Sequence, residues 1–338
     1  SALGLTVIPA SLVSGIPIGA VMLMHGTIRF PIFITCLILS LGIAGPLIQA
    51  TYYADSFAVV DASIRQVGDF LDIQELERPE KAVALNDEGF CLENVSFAYG
   101  DQEILHQISF SPVVGGKTAI VGPSGSGKST IIKLMVGFWD VTNGSISYGG
   151  QDIRRIPTKQ LMEKISFVSQ DNFLFNMSIK DNIKMGNPNA TDAEVVAAAK
   201  AACCDEFICK LQHGYDTMAG DAGRNLSGGE RQRITIARAI LKKADVVILD
   251  EASAHADPEN EVYIEEAIHE LVKGKTLIVV AHRLSTIEDA DKIVVIDSGN
   301  IVGEGTQNEL LMSCSVYARM WQENKEALSE GKGGGACV

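Results

Sequence analysis

The chain has 338 residues, 46% of them hydrophobic and 6% aromatic, with 28 basic against 42 acidic side chains. That length admits about two domains, and this composition excludes a wholly disordered or collagen-like chain. Arg29 is the one formal charge in residues 1–50. The remaining 288 residues therefore carry 27 basic and 42 acidic groups, a balance of −15 that repels phosphate backbones and disfavours a nucleic-acid partner.

The chain starts at Ser1 and enters an apolar run at once, as a fragment of a longer chain would. Residues 1–28 and 30–54 contain no Asp, Glu, Lys or Arg. Each window exceeds the ~20 residues that span a bilayer core. They predict two membrane helices, about 3–25 and 30–51, joined by His25-Gly26-Thr27-Ile28-Arg29, with the lipid bilayer as partner. A cleaved signal peptide fits poorly, because there are two runs and no basic leader; a buried soluble hairpin is the alternative. Ser11, Ser14, Thr35 and Ser40 are expected to bond local carbonyls or to pack between helices. No acid or base in this segment marks an ion relay.

Phe57, Val60, Ile64, Val67 and Leu71 then recur at steps of three and four, which predicts a helix to about Leu71. Residues 1–72 make the first domain. The charged, proline-containing Glu75–Glu80 falls in a linker, 73–89. From Phe90 the pattern alternates: strands at Glu93–Ala98, Lys117–Val121, Val246–Leu249, Thr276–Val280 and Lys292–Ile296, and a helix at Ile131–Val136. Such alternation predicts an α/β domain on a largely parallel sheet over 90–328, followed by a flexible glycine-rich tail, 329–338. Cys203, Cys204 and Cys209 fall in an expected helix, with His213 nearby. Adjacent cysteines lack the gap of a zinc-ligand pair, so free thiols in a reducing cytosol are the better account.

Gly122-Pro123-Ser124-Gly125-Ser126-Gly127-Lys128-Ser129-Thr130 fits the phosphate-loop pattern in full, with an apolar strand before it and a helix after. Its glycines let backbone amides converge on phosphate oxygens, and the helix start adds its positive dipole end. Lys128 supplies charge to the outer phosphates, and the Ser129 hydroxyl is placed to ligate Mg²⁺. ATP and Mg²⁺ are the expected cofactors. Val246-Val247-Ile248-Leu249 ends in Asp250-Glu251, where ligands of open α/β sheets bind. Asp250 suits Mg²⁺, and Glu251 suits a general base for water. Leu226-Ser227-Gly228-Gly229-Glu230 opens a second helix that can present amides to an anion. With one phosphate loop already present, this suggests a γ-phosphate brought by another subunit.

In this order, with 19 residues between Glu230 and Asp250, the three motifs resemble the nucleotide-binding domain of ABC transporters. The resemblance covers about Phe90 to Glu323. The apolar segment is similar to the last two of six helices of an exporter-type half-transporter. The fold it implies is an α/β P-loop ATPase domain with a helical subdomain, preceded by two transmembrane helices. It places an adenine-stacking ring at Tyr99 and a glutamine facing Mg²⁺, water and the coupling helices at Gln170. His282 matches the switch histidine that bonds the γ-phosphate. Ser227, Gly228, Gly229 and Glu230 would meet the ATP of a second half-transporter, a like or unlike partner, and Asp257 keeps the D-loop acid. The implied activity is ATP hydrolysis coupled to translocation of an unspecified substrate, the membrane being the cell membrane and the ATPase domain cytoplasmic.

Two stretches depart from the family pattern. Ala254-His255-Ala256-Asp257 lacks the usual D-loop serine, and Gly220-Asp221-Ala222-Gly223 replaces Gly-Glu-Arg-Gly. Together with Asp257-Pro258-Glu259-Asn260-Glu261, this D-loop is similar to the branch that imports iron–siderophore complexes through an exporter-type fold. A soluble ABC ATPase is disfavoured by the apolar runs. A non-transporting fragment is the further alternative.

Overall fold

The computed structural model describes residues 2–72, 75–87, 89–250, 258–281 and 284–333. The chain divides into two units, Ser1–Glu75 and Leu76–Val338.

In the first unit, α1 (Ala2–Met24) and α2 (Phe30–Leu71) are joined by a turn with Gly26 at φ +72°. Pro31 sits in the first turn of α2, where a missing N–H costs nothing. The helices approach closely at Gly19, where any Cβ would run into the Phe33 ring. Thr35, Ser56 and Ser63 return their hydroxyls to carbonyls four residues back. The helix expected to end near Leu71 is thus the second half of a single 42-residue helix, about 63 Å long at 1.5 Å per residue. Among the described residues no helix is long and apolar enough to cross a membrane. The two expected spans are present as helices, and their membrane character is not shown by them. The second half of α2 carries Asp55, Asp61, Arg65 and Asp69, and the side chains of 2–12 and many of 40–51 lie outside the described residues.

The second unit holds two sheets. β1 (Phe90–Tyr99) and β2 (Gln102–Phe110) form an antiparallel hairpin. β3 (Lys117–Val121) leads into α3 (Lys128–Met135), three residues earlier than periodicity suggests, because the phosphate loop itself starts the helix. β4 (Asn143–Tyr148) and β5 (Gln151–Asp152) complete an antiparallel sheet in the order β2-β1-β4-β5. α4 (Thr158–Lys164) and β6 (Ile165–Val168) follow. Then come α5 (Ile179–Lys184), α6 (Asp192–Ala201) and α7 (Asp205–Lys210), the helical subdomain. α8 (Gly228–Lys242), β7 (Val246–Asp250), α9 (Pro258–Val272), β8 (Thr276–Val280), β9 (Lys292–Asp297) and β10 (Asn300–Gly305) return the chain to the main sheet. That sheet is ordered β10-β9-β3-β8-β7-β6, parallel except for the edge strand β10. α10 (Gln307–Ser313) and α11 (Ser315–Gly333) close the described chain.

The main sheet is buried on both faces, which is why its strands read as unbroken apolar runs. Ile248 and Ile278 join the core shared with the antiparallel sheet, whereas Val247, Leu249 and Leu277 join the core of the helical subdomain. Three local expectations change. The cysteines do not share a helix: Cys203 sits at φ +53° after α6, and Cys204 precedes α7. Where a tail is expected from Ser329, α11 continues to Gly333, since extending a formed helix is cheap; 334–338 lie outside the described residues. In the expected linker, the stretch after Glu77 is bonded to the second unit. Arg78 forks onto Asp140, the Val83 backbone exchanges two bonds with the Gln160 amide, and Asn86 N–H donates to Gly149.

Candidate nucleotide site

The loop between β3 and α3 is shaped by its glycines. Gly122, Gly125 and Gly127 have φ of +155°, +77° and +103°. A Cβ on Gly122 would collide with the Ile296 carbonyl, and one on Gly127 would lie 2.7 Å from Leu105 Cδ2. The loop tip, Ser124 and Gly125, is exposed, while Ser126, Gly127 and Lys128 are buried. Lys128 Nζ donates to the carbonyls of Gly122 (2.9 Å) and Pro123 (2.8 Å), which holds the ammonium under the loop at 4% exposure. Thr130 lies half-buried in the first turn of α3.

A neighbouring hairpin braces this loop. Ser298 (φ +46°) and Gly299 (φ +75°) make the two-residue turn between β9 and β10, as a type I′ turn requires. Gly299 N–H donates to Ser126 O, and its carbonyl accepts from His106 N–H. The reading from sequence omitted this support, although the Ser-Gly dipeptide between two apolar runs was a usable signal.

Parallel pairing brings the other site residues to the same edge of the sheet. Asp250, 6% exposed, pairs in register with Val280, and Val168 pairs with Leu249. Gln170 therefore leaves β6 next to the end of β7, exposed to solvent. The Ser129 hydroxyl donates to Asp250 Oδ1 at 3.1 Å, joining loop and strand end directly. A hydroxyl and a carboxylate in contact are the hard oxygen donors that Mg²⁺ takes. Ser126 Oγ is buried without a hydrogen-bond partner, a polar atom at the loop that a phosphate could satisfy. The residues fit both ATP and its metal. Glu251, Asp257 and His282 lie outside the described residues.

Ser227 N-caps α8 in a reciprocal box: Glu230 N–H donates to Ser227 Oγ (3.3 Å), and Glu230 Oε2 accepts from Ser227 N–H (2.8 Å). The glutamate at the fifth motif position thus has a local task. Ser227 and Gly228 are exposed, and the Gly228 Cβ position is open, whereas a Cβ on Gly229 would lie 2.8 Å from Asn260 Cγ. Upstream, Ala222 adopts φ +52°, and Asp221 pairs loosely with Arg224 at 3.9 Å on the surface.

Tyr99 ends β1 at 39% exposure, edge-on to Phe97 (4.7 Å, 89°) and to Trp139 (5.5 Å, 90°). Trp139 carried no motif and was missed in the sequence. Past Gln170, the chain borders a cavity of about 250 Å³ lined by Phe173, Phe175, Met185, Arg238 and Lys242, where burial lowers the pKa of both cations.

A strand, a phosphate-shaped loop and a helix, an acid at the next strand's end and a second glycine-opened helix define a P-loop nucleotide-binding domain of α/β class. Residues 105–254 match the family model described as ABC transporter. ATP-binding cassette sub-family B member 6 of Xenopus tropicalis is 48% identical over 234 residues, 69% of this chain and 28% of that protein. An ATP-dependent lipid A-core flippase of Syntrophus aciditrophicus is 45% identical over 231 residues, 68% of this chain and 38% of that protein. A solved bacterial Atm1-family ABC exporter with ATP bound matches 86% of this chain and 50% of its own, at a TM-score of 0.71 and 38% identity. The chain carries the ATP-binding domain of an ABC transporter. It spans 28% and 38% of the length of these two curated relatives.

Proposed function

We propose that this chain is the ATPase-bearing part of an exporter-type ABC half-transporter. The contact that carries this reading is Ser129 Oγ to Asp250 Oδ1, which ties the phosphate loop to the acid at the strand end. In the proposed site Lys128 and the loop amides bind the β- and γ-phosphates, and Tyr99 receives the adenine. Mg²⁺, held by Ser129, Asp250 and Gln170, would neutralise phosphate charge. Glu251 takes the proton of the attacking water, and His282 donates to the γ-phosphate. The start of α8, with Ser227, Gly228 and Gly229, closes over the ATP of a second half-transporter, a junction to which the family resemblance assigns Asp257. ATP binding favours the closed pair and hydrolysis reopens it.

The charge-free windows 1–28 and 30–54, and the exporter and flippase names of the relatives, support membrane insertion of α1 and the first half of α2. The second unit then lies in the cytoplasm, where ATP is, and the cavity beyond Gln170 is suited to cytoplasmic helices of a membrane domain. The relatives' names favour export. The import reading rests on residues 254–261, half of which lie outside the described residues.

Glu251→Gln tests the scheme. It is expected to lower ATP turnover about a hundredfold or more while ATP drives two chains into a stable dimer. Turnover retained in this variant, or full turnover by an isolated monomer, overturns it.

A further inference from the structure

The aromatic corner beside Tyr99 is held by more than its edge-on ring contacts. α3, which starts at the phosphate loop, ends in a Schellman cap: Gly137 N–H (φ +80°) donates to Leu134 O and Phe138 N–H to Lys133 O. Trp139 follows at once, so one helix of eight residues, about 12 Å long, fixes its distance from the phosphate loop. Thr142 then stitches this turn to β1, its N–H donating to Ser96 O and its hydroxyl accepting from Ala98 N–H. Trp139 nevertheless leaves 49% of its surface in water, beside a tyrosine that is 39% exposed. Beyond its contacts with Tyr99 and Phe97, a rigidly held indole with half its surface in water offers aromatic surface to a ligand, and any nucleobase has a π-face to lay on it.

Asp140 explains how the turn is set from outside. Arg78 Nη1 and Nη2 donate to its two carboxylate oxygens at 3.1 and 2.6 Å, and the arginine side chain is only 10% exposed. A guanidinium taken that far out of water is costly unless its fork is matched, so this pair fixes the position of both segments. The segment carrying Arg78 is also bonded at Val83 and Asn86.

We propose that Trp139 shares the adenine-receiving surface with Tyr99, and that the Arg78–Asp140 fork is a positioning device that makes the strap 76–87 part of the nucleotide site. This rests on the ATP-binding reading above. Trp139 touches the base; Arg78 and Asp140 act through it.

Only two tryptophans occur in the chain, so Trp321→Phe leaves Trp139 as the single indole reporter. In the full chain with that change, ATP·Mg²⁺ should alter and saturate the emission, while inorganic tripolyphosphate, which lacks a base, should not. Trp139→Ala should raise KM for ATP about fivefold or more with little change in kcat, and Trp139→Phe should restore most of it. Arg78→Ala and Asp140→Ala should each raise KM, the double variant no further than the worse single. Unchanged emission on ATP binding, or an unchanged KM in Trp139→Ala, overturns the proposal. If Tyr99→Ala raises KM and Trp139→Ala does not, the shared surface fails while the nucleotide site stands. Undiminished ATP binding by Lys128→Ala would instead sink the nucleotide site itself. Should Trp139→Ala fail to fold, the emission titration decides.

Discussion

Two glycine-opened helices can meet phosphate in this domain, and they are built in opposite ways. α3 starts from a closed loop: its glycines occupy left-handed or crowded backbone, and Lys128 is folded onto the loop's own carbonyls. α8 starts in the open: Ser227 and Glu230 cap each other, and the position of a Gly228 side chain meets nothing. The first start is a loop formed within one chain, too crowded at Gly122 and Gly127 for a side chain and braced by the β9–β10 turn. The second needs no ligand to satisfy its own caps, which leaves its exposed surface available to something that arrives. That asymmetry is what a nucleotide clasped by two chains requires.

Gly122→Ala should break the first start most severely. Its Cβ collides with the Ile296 carbonyl at a backbone angle that L-residues rarely adopt, so a loss of about 2–4 kcal/mol is expected. The check is a thermal melt with and without MgATP: the midpoint should fall, and nucleotide should no longer raise it. Gly228→Ala and Gly229→Ala sharpen the contrast at the second start. Gly229→Ala meets Asn260 at 2.8 Å and should cost about 1–2 kcal/mol in urea unfolding. Gly228→Ala should stay within about 0.5 kcal/mol of the parent, yet lower ATP turnover, because in the proposed pair its methyl group would meet the other chain's nucleotide. Parental turnover in Gly228→Ala would break the comparison, since an open and unused helix start has no reason to resist a methyl group.

The two starts were legible in the sequence because their chemistry is local. Gly122–Thr130 and Ser227–Glu230 carry ligand type and spacing within a few residues, and the apolar run before Asp250 marks a buried strand. What escaped depends on pairing at a distance. β1 shows in the sequence only as its Glu93–Ala98 stretch and β2 does not show, because register shifts and positive φ at Asn94 and Gln107 blur any period of two. Arg78 and Asp140 lie 62 residues apart in charged surroundings that look like any solvated stretch. Cys203 and Cys204 read as helical from their alanine-rich approach, but the left-handed turn at Cys203 is set by its neighbours: Arg233 Nη1 donates to the Cys203 carbonyl. Local motifs reveal the phosphate loop and the resemblance adds Tyr99, whereas only packing brings Trp139 and the Arg78–Asp140 fork beside it.

The smallest predicted effects separate capping from ligand binding. Ser227 does two things in this scheme, capping α8 and facing the other chain's γ-phosphate, whereas Thr191 makes the same reciprocal box with Glu194 at α6 and has no ligand to meet. Loss of either hydroxyl should cost about 1 kcal/mol of stability. Thr191→Ala should therefore lower the urea midpoint as Ser227→Ala does, and leave ATP turnover at the parental rate. Ser227→Ala should lower both. A Thr191→Ala variant with impaired turnover would mean that subdomain stability alone limits the reaction, and the functional contrast between the two helix starts would lose its basis.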